Sequence, residues 1–290
     1  MIPEPFEYHI PKNLEEASRL LAQFGGEGKI LAGGHSLVPM MKLRLAAPRH
    51  LIDLGRLTDL KYIREADGKI EIGALTTHFQ IQSSSLLKDK CSLLPETARE
   101  IGDVQVRNRG TIGGSLAHSD PAADWPATIL ALAGEIQARN VSSSRWIPAS
   151  EFFVDLLTTA LGSDEVLTAI RMPVAPPRSG HAYLKLHHPA SGYAMVGVAA
   201  QVVLNEAGHI ESANVGITGV GPKAYRATAV EAALRGKAPG RHNLEAAASH
   251  AVVGIEVNSD LYASAEYRSH LAQVYTRRAL EKAVERAHGK

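Results

Sequence analysis

The sequence predicts an α+β protein of two domains, and three observations carry that prediction. Pro173, Pro176 and Pro177 within PVAPPRSG make a break that regular structure does not readily cross. Before the break, short helical and strand-like patterns are interleaved. After it, three strand-like runs come in succession and three helical patterns follow.

Residues 13–24 read as the first helix. Leu14, Ala17, Leu21 and Phe24 share one face, Asn13 is placed to cap, and Glu16 follows three residues later. Gly25 and Gly26 stop it. Residues 29–32 are a short apolar run, read as a buried strand ending in Gly33-Gly34. Residues 50–54 read as another strand, and 69–75 places Ile70, Ile72 and Ala74 alternately on one face. A helical pattern returns over 86–101. Residues 102–124 contain Gly102, Gly110, Gly113 and Gly114 and little periodicity. They read as a long irregular segment, which inside a compact domain is often functional.

Asp124 reads as an N-cap, with Pro126 in the first turn of an apolar helix through Ala133. Strands are expected at 135–139 and 166–172. Beyond the proline break come strands at 181–186, 196–204 and 210–218, with NEAG (205–208) turning between the last two. Helices are expected at 227–234, 244–253 and 265–287. The layout is an N-terminal domain of about 175 residues, followed by a smaller sheet-plus-helices domain.

Composition narrows the function. Lys plus Arg number 31 against 30 Asp plus Glu, a balance that offers no field for nucleic acid or an anionic membrane. Cys91 is the only cysteine. No intrachain disulfide can form, a reducing compartment fits, and an iron–sulfur cluster, which takes about four thiolates, cannot be held by this chain alone. Cys91 itself reads as a small buried hydrophobe on a helix. The opening MIPEPFEYHIPK lacks an apolar signal core, and no run of roughly 18 apolar residues occurs, so a soluble cytoplasmic protein is expected. No H-x-x-x-H helix or Cys/His cluster is present, which argues against a protein-bound metal.

Two segments carry the functional signal. Ala32-Gly33-Gly34-His35-Ser36-Leu37 follows a strand and opens an irregular stretch; Thr111-Ile112-Gly113-Gly114-Ser115 repeats its chemistry. Paired glycines let a backbone approach a ligand closely, and successive N–H groups in such a turn form an anion-binding concavity to which hydroxyls add donors. Singly, each pair reads as an ordinary turn. Together, they read as a diphosphate gripped from two sides. Neither is a Walker loop or the G-x-G-x-x-G fingerprint. On the residues alone the reading stops at a nucleotide-diphosphate site.

AGGHSL (32–37) and TIGGS (111–115) resemble the two FAD-binding signatures of the molybdenum hydroxylase flavoproteins, the xanthine dehydrogenase family, and within it the medium subunits of the aerobic carbon monoxide dehydrogenase type. The resemblance extends over the whole chain through FEYHIPK (6–12), AGGHSLVPMMKLRLAAPRHLIDL (32–54), VQVRNRGTIGGS (104–115), SDPAAD (119–124) and GYAMVGVAA (192–200). The family's second signature commonly ends in Asn or Asp, where this chain has Ser115.

The resemblance implies a vanillyl-alcohol-oxidase-type (PCMH-type) FAD domain over 1–176, with subdomains of about 1–57 and 58–176. A C-terminal domain over 177–290 follows, with a three-stranded antiparallel sheet plus helices. It implies that residues 32–37 and 111–115 hold the FAD pyrophosphate, and that Ile101, Val106, Gly110, Ala117, Ala123 and Asp124 complete the wall of the site. Asp124 then accepts hydrogen bonds from cofactor hydroxyls, caps its helix, or does both. Lys185 and Tyr193 match positions beside the flavin ring. There a cation raises the reduction potential and a tyrosine covers one ring face; without the resemblance they read as an exposed strand lysine and a core tyrosine. His35 reads as shaping the loop near the phosphates. Arg107 and Arg109 read as phosphate or subunit contacts, or equally as solvated loop cations.

Function follows by the same route. The chain is expected to carry FAD and no catalytic residue or metal. It takes electrons from a small [2Fe–2S] subunit, fed by a large molybdopterin subunit, and passes them to an external acceptor. Assembly is expected as a dimer of heterotrimers. Two other readings stay open at this point: a self-contained FAD-dependent oxidase or dehydrogenase, and a non-redox nucleotide-binding scaffold.

Overall fold

The structure, a computed structural model, describes residues 2–289. Three parallel strands in the order Glu7–His9, His50–Asp53, Gly28–Leu31 form the first sheet. The Leu14–Phe24 helix covers it. Asn13 accepts the Glu16 N–H at 2.9 Å, and Ala17 and Leu21 bury themselves with Ile52 and Leu54. The first glycine segment leaves the C-terminal end of the Gly28–Leu31 strand, the end at which open parallel sheets place ligand sites.

The second sheet is antiparallel, in the order Ile63–Ala66, Lys69–Gly73, Val166–Pro173, Glu135–Arg139, Ser144–Pro148. One row crosses all of it: Ile63, Ile72, Ile170, Ile136 and Ile147 are Cα partners from strand to strand. A β-branched residue at each step of one row packs well on a pleated surface, and the row's central members are fully buried against Trp125 and Leu116.

The C-terminal sheet has four antiparallel strands, Ser179–His187, Ala194–Leu204, Ile210–Thr218 and Tyr225–Arg226, not the three expected. The fourth is two residues long and carries no period that sequence can reveal. Alternation along this sheet serves two cores. Ala182, Val198 and Ala200 join the cluster beneath the long Ala265–Ala287 helix, while Tyr183 and Ala199 join the cluster around Trp125. Gly180 lets the long helix approach, since a Cβ there would lie 1.9 Å from the Ala283 carbonyl oxygen.

The Asp124–Ala131 helix, buried along its length, packs on the opposite side of the same sheet. It joins the C-terminal sheet to the rest of the molecule. No helix among the described residues is long and apolar enough to cross a membrane.

Other expected elements differ as well; the helix expected over 244–253 runs Arg241–Ala248. The helix over 86–101 is two helices, Ser85–Lys90 and Leu93–Arg99. Pro95 lacks an N–H and is tolerated only in a first turn, so the helix restarts just before it. Cys91 caps the first of these and is buried, which pushes its thiol up to about 12. The stretch 102–124 holds two short helices, Val104–Arg109 and Ile112–His118, each opened by a side-chain cap: Asp103 to the Val106 N–H, and Thr111 to the Gly114 N–H. Runs of six or seven residues are too short to show a 3.6 period. Asp124 is not an N-cap. Ala123 holds that position and Asp124 is the first helical residue.

Candidate cofactor cleft

The two glycine segments lie against each other. A Cβ on Gly33 would sit 2.3 Å from the Arg109 carbonyl oxygen and 2.8 Å from the Gly110 Cα. Gly34 has φ of +78°, a conformation that favours glycine. Among the described residues, the N–H groups of Gly33, Gly34, His35 and Ser36 meet no backbone acceptor. This first segment is therefore a row of unpaired donors at a strand end, the arrangement that binds an anion.

The second segment works differently from the expectation. Four of its five N–H groups are already used: Ile112 donates to the Thr76 carbonyl at 3.1 Å, Gly113 to Ala74 at 2.9 Å and Ser115 to Thr111 at 3.1 Å. Gly114 donates to the Thr111 hydroxyl at 3.1 Å. Gly113 is a packing glycine, since a Cβ there would lie 2.6 Å from the Ala74 Cβ. What this segment offers a ligand is the Thr111 and Ser115 hydroxyls and a surface low enough for close approach.

A cleft of about 760 Å³ opens over both segments, a volume within the usual range for cofactor sites. All residues of 32–37, together with Thr111, Gly113, Gly114 and Ser115, line it. So do Ile101, Val106, Gly110, Ala117, Ala123, Asp124, Lys185 and Tyr193. The fold thus brings to one cleft residues as far apart in the chain as Ala32 and Tyr193. Free N–H donors, hydroxyls and an apolar floor suit an elongated dinucleotide, so FAD fits the donor set.

Lys185 is no exposed strand lysine. Its ammonium lies 3.0 Å from both Asp124 oxygens and 3.0 Å from the Glu100 carbonyl oxygen, and its side chain is 1% exposed. The Tyr183 hydroxyl donates to the same carboxylate. Burial pushes the Asp124 carboxyl above the usual carboxylate range, while Lys185 and Tyr183 oppose that rise. Tyr193 is no core tyrosine either: it is 43% exposed at the cleft, after the positive-φ Gly192. Arg107 is structural. Its guanidinium donates to the Ile101 and Gly102 carbonyls at 3.2 and 2.9 Å, closing the C-terminal end of the Leu93–Arg99 helix.

Sequence reasoning missed His78. It is 4% exposed, lines the cleft, and its Nδ1 accepts the Trp125 indole N–H at 3.0 Å. The neutral ring must then carry its proton on Nε2. Gly110 leaves room for that edge, since a Cβ there would lie 2.7 Å from Nε2. Burial, then the nearby His35 and Arg107, lowers its pKa to about 3. The only sequence signal was Thr77, which caps the helix that begins at His78.

A histidine titrating near 6.5 unfolded and near 3 folded takes up its proton more readily in the unfolded state. Its stabilising effect is complete above pH 6.5 and is lost as pH falls towards 3. Replacing His78 with Gln is expected to flatten the pH–stability slope between those limits by up to one proton, about 1.4 kcal/mol per pH unit. Urea unfolding of both proteins across that range measures it, and identical slopes contradict it.

Comparison with known proteins places the cleft in a family context. The sequence profile described as "FAD binding domain in molybdopterin dehydrogenase" matches residues 4–175, and "CO dehydrogenase flavoprotein C-terminal domain" matches 181–283. The carbon monoxide dehydrogenase medium chain of Hydrogenophaga pseudoflava is 40% identical over 284 residues, covering 98% of each chain. The 6-hydroxypseudooxynicotine dehydrogenase complex subunit alpha of Paenarthrobacter nicotinovorans is 37% identical over 287 residues, covering 99% of this chain and 97% of the relative. A solved structure of carbon monoxide dehydrogenase from Hydrogenophaga pseudoflava, lacking the Mo-pyranopterin moiety of its cofactor, superposes with a TM-score of 0.95 and 42% identity over 99% of both chains.

Proposed function

The chain belongs to the FAD-binding medium subunits of the molybdenum hydroxylase family, the premise from which we propose how its residues serve electron transfer. It is the flavoprotein subunit of a molybdenum-dependent oxidoreductase. It works beside a [2Fe–2S] small subunit and a molybdopterin-bearing large subunit, in an assembly of the carbon monoxide dehydrogenase type and in the cytoplasm. When bound, FAD supplies a group that takes up electrons from one partner and gives them to another.

The observation that carries the site assignment is the contact of Gly33 with Arg109 and Gly110, which fuses two distant segments into one wall. The unpaired N–H groups of residues 33–36 hold the diphosphate, and the Thr111 and Ser115 hydroxyls reach it from the other side. Ile101, Val106, Ala117 and Ala123 exclude water from the walls. Asp124 is held by Lys185 and Tyr183 and keeps lone pairs for cofactor hydroxyls. Lys185 and Tyr193 border the ring end. A vanillyl-alcohol-oxidase-type FAD domain over 1–176, in subdomains of about 1–57 and 58–176, with a C-terminal domain over 177–290, is in line with the two family matches, over 4–175 and 181–283.

The test is reduction of the co-purified complex against the chain alone. A panel of molybdenum-hydroxylase substrates, carbon monoxide among them, is expected to bleach the visible flavin absorbance of the complex and to leave the isolated chain oxidised. Bleaching of the isolated chain by substrate would instead mark a self-contained oxidase.

A further inference from the structure

We propose that Glu7, His9 and His50 form a binding site for a divalent transition-metal ion, separate from the cofactor cleft. None of the three lines that cleft.

Sheet geometry brings them together. Glu7 and His9 are two residues apart on one strand and so share a face. The neighbouring parallel strand pairs His50 with Glu7 in register. No spacing in the sequence reveals this, because His9 and His50 meet only when the two strands pair. Phe24 then fixes the rings. It stacks on His50 with centroids 3.7 Å apart and planes 6° apart, and its centroid is 4.8 Å from that of His9.

The donor atoms are spaced for an ion, and without one only His9 and His50 make a hydrogen bond within the cluster. His9 Nε2 and His50 Nδ1 are 3.2 Å apart, and the Glu7 carboxylate oxygen Oε2 is 3.4 Å from His50 Nδ1 and 3.7 Å from His9 Nε2. A contact of 3.7 Å is not a hydrogen bond, and two ring nitrogens can share only one proton. Three atoms at these separations have a common centre about 2.0 Å from each, which is the bond length of zinc to imidazole nitrogen or carboxylate oxygen.

Two imidazole nitrogens and one carboxylate select Zn²⁺, Co²⁺, Ni²⁺ or Cu²⁺ over Mg²⁺ and Ca²⁺. With three protein donors, the remaining coordination positions go to water. Occupancy would clamp the Glu7–His9 strand to its neighbour, because an ion that binds only the folded chain stabilises it.

The test is calorimetric titration of the full chain with Zn²⁺ and, separately, Mg²⁺, with thermal melts alongside. One Zn²⁺ per chain with micromolar affinity, a melting temperature raised by Zn²⁺ and no response to Mg²⁺ are expected. Glu7→Gln, at a side chain 72% exposed and so harmless to folding, should weaken Zn²⁺ binding at least about tenfold, and His9→Ala should do the same. His270→Ala, outside the cluster, should leave it unchanged. Undiminished affinity in Glu7→Gln and His9→Ala, or no binding by the parent chain, overturns the proposal.

Discussion

Gly33→Ala is expected to yield a chain that retains less than about a tenth of the parent's FAD. The added Cβ would lie 2.3 Å from a backbone oxygen and 2.8 Å from a backbone carbon. No flexible side chain can yield there, so the two segments must separate, and overpacking of this kind costs about 1–3 kcal/mol. The gap opens in the cleft wall that residues 33–36, Thr111 and Ser115 line, so binding suffers more than stability. The flavin-to-protein absorbance ratio after purification reads the first effect and a thermal melt the second. Gly26→Ala is the control: nothing lies within 4 Å of its Cβ position, and it should behave as the parent. Full flavin content in Gly33→Ala would remove this contact from the account.

Lys185→Ala carries the second large effect. Its ammonium and the Asp124 carboxylate form a buried pair at 3.0 Å. Removing one partner leaves the other charge uncompensated away from water, at a cost of about 3 kcal/mol or more. The variant should therefore unfold at markedly lower urea concentration. The double variant Lys185→Met with Asp124→Leu, in which no charge is left unpaired, should recover part of that loss. The same pairing moderates the redox effect. A lone cation at the ring end would raise the potential strongly, but Lys185 acts on the cleft as one half of an ion pair. A redox titration should find the flavin midpoint lower in Lys185→Ala and higher in Asp124→Asn. Unaltered urea stability in Lys185→Ala contradicts the buried pair, and an unaltered midpoint in both variants removes the pair from the ring's surroundings.

Local chemistry made much of this legible in the sequence. Asn13 with Glu16 announced a helix start, and alternation at Ile70 and Ile72 announced a strand whose face then continues as isoleucine across every neighbour. The glycine pairs marked where backbone comes close to something. They did not reveal what. Gly33 meets Arg109 and Gly110, Gly113 meets Ala74, and only the first segment keeps a row of N–H groups unpaired. That difference depends on carbonyls at 74 and 76, which no local pattern ties to residues 112 and 113. Lys185 with Asp124, and His78 with Trp125, are likewise pairs made by packing across sheets and helices. The missed elements were short, from the two-residue strand Tyr225–Arg226 to the seven-residue helix Ile112–His118, where periodicity has no room to develop.

In the proposed site, one wall built from two segments grips the linked phosphates of a dinucleotide. Equilibrium titration of the deflavinated chain with FAD and with FMN tests it most directly, since FMN has the ring and one phosphate but neither the second phosphate nor the adenosine. If the claim holds, FAD binds at least about a hundredfold more tightly, a difference of about 2.7 kcal/mol. Equal affinity for the two flavins would mean that the ring alone is recognised and that the paired segments do not hold the diphosphate.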